Sequence, residues 1–468
     1  MHVASHGTDE VFWLGSTFVN GDTLAERPVD FEAWSTSLTN DADILLYGCD
    51  LAASSEGRSL INELADLTNA DIAASDDLTG HESLGGDWQL EFTSGEIDAG
   101  VVISAKAQSS WHQTLGQITL TTGADQLDGD ADLSSLAALA LNPGADGLIS
   151  LREAVEAANA NADADVIFFG SDTYTLTRTG LADDEGDYDI RTSVSFVGAG
   201  PDNTTILSDN FLRIFDIHDD ANITVTFSGL KLEDGGTNAF GGRDGGALRI
   251  NSSTNTPTVH LNNVWFLDNQ TDLSGGNGSG GAIYNEGVLN ITNSLFEESS
   301  SRFEGGAIYN AAGASLNLTN VTISGSDSAV GDGGGIFNAG TATIINSTLT
   351  LNSAAGDGGG VFNGGALSLG NSIVAGNTSG ADGPDIDNAF TSLGSNIFGD
   401  DSNASGFVGS DQRNVDPFLG LLMDNGGELK THAPMGGSTA TGNGDISISP
   451  EVDQRGRLRD ASVDIGAF

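Results

Sequence analysis

Apolar and polar positions along the chain fall into two regimes. Within the first hundred residues the spacing alternates between strand and helix. Ile44-Leu45-Leu46-Tyr47 is a short apolar run ending at Gly48-Cys49-Asp50, and Leu60, Ile61, Leu64 and Leu67 follow at helical spacing between Gly57 and Leu67. Ala70-Asp71-Ile72-Ala73-Ala74-Ser75 reads as the next strand. Residues 1–100 therefore predict a small α/β domain built on a βαβ unit with a parallel sheet. The alternation of Trp88-Gln89-Leu90-Glu91-Phe92 adds an edge strand.

Residues 101–115 read as a linker, and the second regime occupies 116–468. It opens with an amphipathic helix over Ser150–Asn159, in which Ser150 is the N-cap and Glu153 its capping-box partner. Strand-like runs follow at Val166-Ile167-Phe168-Phe169, Tyr174-Thr175-Leu176 and Val194-Ser195-Phe196-Val197. Between residues 245 and 375 a repeat is visible. Gly280-Gly281-Ala282-Ile283-Tyr284-Asn285 returns at 305–310, then as Gly333-Gly334-Gly335-Ile336-Phe337-Asn338 and Gly358-Gly359-Gly360-Val361-Phe362-Asn363. A second element, Asn293-Ser294-Leu295-Phe296, returns from Asn320, Asn346 and Asn371, so the period is roughly 25 residues.

A unit of that length cannot bury its own apolar side chains, whereas stacked copies can. The pattern predicts a mainly β fold, a right-handed parallel β-helix with strands about 4.8 Å apart. Residues 165–400 leave room for nine or ten coils. Ile283, Ile308, Ile336 and Val361 would then form an aliphatic ladder. The paired glycines supply positive φ or close backbone approach at a corner. Asn285, Asn310, Asn338 and Asn363 are expected in the left-handed conformation, bonding coil to coil as an asparagine ladder. The helix at 150–159 is expected to cover the first coil, and residues 418–468 the last.

Charge narrows the partners. Sixty-six acidic residues face 16 basic ones, a formal net charge of −50. Such a chain repels nucleic acid and anionic membranes, and suits a salty or calcium-containing medium. The 65 glycines fit many tight turns and show no collagen period. A single cysteine excludes an internal disulfide framework and a multi-cysteine metal site. No apolar stretch reaches the roughly 18 residues a membrane span needs. Met1 runs directly into His2-Val3-Ala4-Ser5-His6-Gly7 without a secretory signal, so the chain reads as a fragment of a longer exported protein.

Three stretches resemble known families. Ile149-Ser150-Leu151-Arg152-Glu153-Ala154, with Asp165-Val166-Ile167 and Tyr174-Thr175-Leu176, resembles the CSLREA domain that opens many bacterial surface β-helices (residues 116–176); Ile149 replaces the motif's cysteine. Residues 370–468 resemble the choice-of-anchor Q region of the pectin-lyase-like superfamily. The matching residues include Asp416-Pro417, Asp424-Asn425-Gly426-Gly427, Asp453-Gln454-Arg455-Gly456 and Ile465-Gly466-Ala467-Phe468. Residues 1–100 resemble the DUF4347 domain of very large adhesin-like bacterial proteins, through Ser5-His6-Gly7, Leu46-Tyr47-Gly48-Cys49 and Gly85-Gly86-Asp87-Trp88. In that family a βαβ stretch precedes the His-Gly, so Met1 falls where the third strand begins and the sheet is expected to be incomplete. The resemblances imply a secreted or cell-surface protein and fix no activity.

Several residues are candidates for chemistry. One apolar run ending in His-Gly and another ending in Gly-Cys is the arrangement of caspase- and gingipain-like cysteine peptidases. His6 would be the base and Cys49 the nucleophile, against the plainer reading of a turn histidine and a buried thiol. Asp125, Asp128, Asp130 and Asp132 alternate like the start of a calcium loop, but the later Gly and Glu are out of register and a solvated turn competes. Asp216, His218, Asp219 and Asp220 form a second candidate metal set, and Trp265 and Tyr284 are candidates for stacking on sugar. A polysaccharide lyase or hydrolase is the alternative at the level of fold. Between Asn251 and Ser410, however, His260 and Arg302 are the only basic side chains. The expectation is a non-catalytic, adhesin-like protein that binds polysaccharide or another cell surface, with calcium the one candidate cofactor.

Overall fold

The computed structural model describes all residues except 5–6, 9–10, 15–16, 36, 40–41, 49–50, 78, 80–86, 101–116, 161–164, 179–185, 210–211, 238–243 and 272–277. The fold is mainly β and 10% helical. The chain divides into two units. One comprises Met1–Thr119, Gly129–Gly147 and Ala160–Ile167; the other comprises Leu120–Asp128, Leu148–Asn159 and Phe168–Phe468.

The first unit holds a mixed four-stranded sheet. His2–Ala4, Asp43–Tyr47 and Asp71–Ala74 run parallel, and Phe92–Thr93 pairs antiparallel with Asp71–Ala74. The helix Ser55–Thr68 forms where expected because Ser54 caps it, accepting from the backbone N–H groups of Glu56 and Gly57, and Asn69 ends it in the left-handed conformation. Its buried Leu60, Ile61 and Leu64 join Ile44, Leu46, Ile72 and Ala74 in one core. The expected strand at 88–92 is shorter than its alternation suggests. Trp88 folds over Leu45, Tyr47 and Ala73 on the opposite face of the sheet, which leaves Phe92–Thr93 to pair.

The second unit is a parallel β-solenoid of about 11 turns, slightly more than the nine or ten expected. Ile283, Ile308, Ile336, Val361 and Ile386 pair strand to strand in register, all of them buried. Leu248, Phe215 and Tyr188 continue that column toward the first turn. The first glycine of each pair has positive φ, 67° at Gly280 and 69° at Gly305. The second lets two backbones meet, since a Cβ on Gly281 would lie 2.1 Å from the Gly306 carbonyl oxygen.

Asparagines tie the turns together in more rows than one. Asn285 donates to Asn310, Asn310 to Asn338 and Asn338 to Asn363, at 2.7–2.8 Å with all four side chains buried. These residues end short strands and are not left-handed. The left-handed asparagines are Asn293, Asn320, Asn346 and Asn371, at the corner after the next strand, where φ is 45–55°. Asp234, Asp268, Glu298 and Leu351 take the same conformation at another corner. Asn320 donates to Asn293 at 3.1 Å, so the asparagine corner carries a second row.

The ends differ from one another. Helix Leu151–Asn159 covers the first turn, and its Ser150–Glu153 capping box is made by reciprocal bonds of 2.9 and 3.2 Å. Asn159 holds the first strand of the ladder, donating to the Asp189 carbonyl and accepting from the Arg191 N–H. Residues 418–468 do not cover the last turn. They lie back along the solenoid as a strap, with Leu429 against Trp265 and Leu295, and Ala440 and Ile465 against Ile373 and Ile397. His432 bonds Ser324 at 3.0 Å, Gln454 bonds Thr322, and the Ala467 N–H donates to Thr348. The strap follows that side because its strands present Leu295, Ile373 and Ile397, apolar groups that need a cover. The last turn is closed by Phe390, Phe398 and Phe407, with Arg413 over the Phe407 ring.

Candidate functional site

Titratable side chains converge at the first turns. The strands Tyr188–Ile190, Phe215–Ile217 and Leu248–Ile250 stack in register and place Asp189, Asp216 and Arg249 in one outward column. Arg213 is 3% exposed and bridges Asp187 at 2.9 Å and Asp216 at 3.0 Å. Asp216 also accepts from Arg249 at 3.1 Å and from Asn251 at 2.6 Å. His218 bonds Asp189 at 2.7 Å, while Arg191 pairs with Asp220 at 2.9 Å.

Charge placement sets the titration. Burial pushes the Asp187 carboxyl up to about 6, against the pull of Arg213. Burial acts on Asp216 too, but Arg213 and Arg249 together hold it below the ordinary carboxylate range. Burial alone would lower His218; the Asp189 hydrogen bond and the Asp216 charge outweigh it and raise the imidazole. Asp189, Asp216 and His218 have ligand atoms within 4.8 Å of one another, a spacing a metal ion could use. Two guanidinium groups and an amide already occupy Asp216, however, so a cation would have to displace Arg213 and Arg249. Of the other expected members, Asp219 accepts from Ser253 and Thr254, and Asp220 faces Arg191. The set works as an ion-pair network joining turns.

The same column then changes chemistry. Tyr284, Tyr309, Phe337 and Phe362 stack at 4.8–5.1 Å with their planes within 10° of parallel. Tyr309 covers one face of Tyr284, and the register neighbour on its other side is Arg249, a member of the charged column. Trp265, the other candidate for stacking on sugar, is buried, with the Lys231 and Lys430 ammonium groups at 5.1 and 4.6 Å from its ring.

A second face of the solenoid has three outward columns that carry no charge. Six parallel strands form it, Thr224–Glu233, Thr258–Leu267, Val288–Thr292, Ser315–Thr319, Thr341–Ile345 and Ala366–Gly370. Their middle outward column runs Thr226, His260, Asn290, Asn317, Thr343, Ser368, flanked by columns that start at Thr224 and Ser228. None of these eighteen positions, three on each of six strands, is Asp, Glu, Lys or Arg. Asn317 donates to Asn290 at 2.9 Å and Thr292 to Asn262 at 3.0 Å.

The expected site residues are scattered. His6 and Cys49 lie outside the described residues. Asp125 is wholly buried against Arg152 at 2.6 Å, and its other oxygen accepts from the Thr177 and Arg178 N–H groups. Arg152 in turn reaches the Gly186 and Asp187 carbonyls and lies 4.7 Å from the Tyr188 ring. The Asp128 N–H donates to Glu153, so that residue belongs to the helix cap. Asp130 accepts from Ala145, and Asp132 accepts from the Ser134 N–H and hydroxyl, each within its own loop. The ion-pair network had one usable signal in the sequence. Tyr-Asp-Ile, Phe-Asp-Ile and Leu-Arg-Ile take the same inward–outward–inward places as Ile-Tyr-Asn, with charge in the outward place and Ile where the asparagine ladder begins.

The fold defines a parallel β-solenoid protein that also contains a small α/β region of mixed sheet. Residues 1–115 match the profile of a family described as a domain of unknown function (DUF4347). No curated protein and no solved structure matches the chain. No helix among the described residues is long and apolar enough to cross a membrane.

Proposed function

We propose that this chain is an adhesin-like binding protein, secreted or displayed on a bacterial surface, that engages glycan or another cell without catalysing a reaction. One observation carries the reading. At the first turns the described titratable groups are tied to one another in ion pairs, as Arg213 and Arg249 are to Asp216. What the solenoid does offer is a repetitive surface of half-buried side chains in register over many turns, which suits multivalent contact. The resemblance of residues 116–176 and 370–468 to CSLREA and choice-of-anchor Q regions of pectin-lyase-like surface proteins supports the same reading.

The test is to incubate the whole chain with bacterial cells and with a panel of plant, algal and bacterial polysaccharides. Adsorption and released sugar are measured together, with calcium and with chelator. Adsorption without new reducing ends or unsaturated sugars is expected, unchanged by Cys49→Ala. Product release from any polysaccharide, or self-cleavage abolished by Cys49→Ala, would overturn the non-catalytic reading.

A further inference from the structure

We infer that the uncharged face is the binding surface and that its ligand is a neutral polysaccharide lying along the solenoid axis, one sugar to each strand; this rests on the reading of the chain as a binding protein. The charge count comes first. With 18% of the chain charged, about three of eighteen positions should carry Asp, Glu, Lys or Arg, and none does. The neighbouring face shows that outward positions of this solenoid tolerate charge, because Asp189, Asp216, Arg249 and Asp387 occupy its column. Neutrality is therefore a property of this face and not of solenoid strands as such.

Spacing and chemistry identify the occupant. Parallel strands repeat at about 4.8 Å, close to the length of one sugar in an extended chain, so equivalent side chains can meet successive sugars. Thr226, Asn290, Asn317, Thr343 and Ser368 supply hydroxyls and amides, which both donate and accept as sugar hydroxyls do. Asn290 and Asn317 spend one donor and one acceptor on each other and keep the rest of their capacity. The formal charge of −50 selects among partners. A second copy, a polyuronate, a nucleic acid and an anionic membrane must all approach against it, whereas an uncharged polyol does not. The eighteen positions hold no aromatic residue except the imidazole of His260. Each sugar is then held by hydrogen bonds of modest net worth, and affinity accumulates along the chain.

The experiment measures adsorption of the whole chain to insoluble neutral polysaccharides and to polyuronate gels, for the native sequence and for Asn317→Asp, Asn317→Lys and Thr343→Asp. Binding to a neutral polysaccharide is expected, with about ten-fold weakening by all three substitutions. Unchanged thermal midpoints would show that the variants fold. For the native chain, adsorption should be insensitive to salt between about 0.05 and 0.5 M, a readout that needs no variant. Strengthening by Asn317→Lys, preference for polyuronate, or strong salt dependence would overturn the inference in favour of a charged ligand. Adhesion to cells or particles that survives all three substitutions would overturn the assigned face and leave the binding reading standing. No adsorption to any cell or polysaccharide would remove both.

Discussion

At the outward position of the strands centred on Asp189, Asp216 and Arg249 the solenoid carries charge; further along the same ladder it carries Tyr284, Tyr309, Phe337 and Phe362. Both stretches meet the same requirement, that a side chain sit against its counterpart about 4.8 Å away on each side. Neutral rings and amides meet it by repetition, because copies of one group attract when stacked. Like charges repel at that distance and need other partners. The charged stretch, in which Asp189 and Asp216 are register neighbours, therefore recruits the buried Arg213 between Asp187 and Asp216 and sets Arg249 on the far side of Asp216. Repetition leaves a visible period in the sequence and complementarity hides it, although the backbone ladder is the same.

The comparison can be broken most sharply at Arg213. Replacing it with Met should strand the buried Asp187 carboxylate, leave Asp216 with Arg249 and Asn251 alone, and cost about 3–5 kcal/mol, read as a large fall in the denaturant midpoint of the solenoid. A change below about 1 kcal/mol would mean that the charged turns do not depend on pairing. On the repetitive side, Asn310→Leu leaves Asn285, Asn338 and the Thr341 carbonyl short of a buried partner. About 1–3 kcal/mol should be lost.

Acidity acts on both ends of the ladder. Burial pushes Asp187 and Asp385 up to about 6. A carboxyl raised in the folded state contributes stability that is complete below its unfolded pKa and is lost as pH rises through about 6. His218, also raised, loses its contribution in the same direction. Moving from about pH 7 to 5 should then contribute about 1 kcal/mol of stability for each carboxyl, opposed by His260 and His432, which burial lowers and which cost stability as they protonate. Asp187→Asn and Asp385→Asn should each remove their share of the pH response, and a response unchanged in both would contradict the assigned environments. The smallest effect is expected at Phe337→Leu, about 1 kcal/mol from two lost stacking contacts. That loss should not vary with pH, since no charge is involved.

Much of the solenoid was legible because repetition and local capping write themselves into the sequence. The Gly-Gly-x-Ile-Tyr-Asn period and the Ser150–Glu153 box are contacts between residues close in sequence or equivalent in register. The left-handed corner was misplaced by one row, since Asn285 and Asn293 recur with the same period and differ only in where the chain turns. The strap was expected as a cover, but its path had no signal. Its contacts, such as His432 to Ser324 and Gln454 to Thr322, join residues more than 100 positions apart without any repeat. The uncharged face was hidden for another reason: it is defined by what three columns lack, and columns exist only once register is known.

The most direct test of the account is calorimetric titration of the whole chain with neutral oligosaccharides of increasing length. Six strands bear the uncharged face, so affinity should climb with each added sugar and level off at about six, as expected when contacts accumulate along a fixed surface. The plateau should shorten in Asn317→Asp, which divides the face. Affinity independent of length, or a length dependence that Asn317→Asp leaves untouched, would contradict binding along these strands.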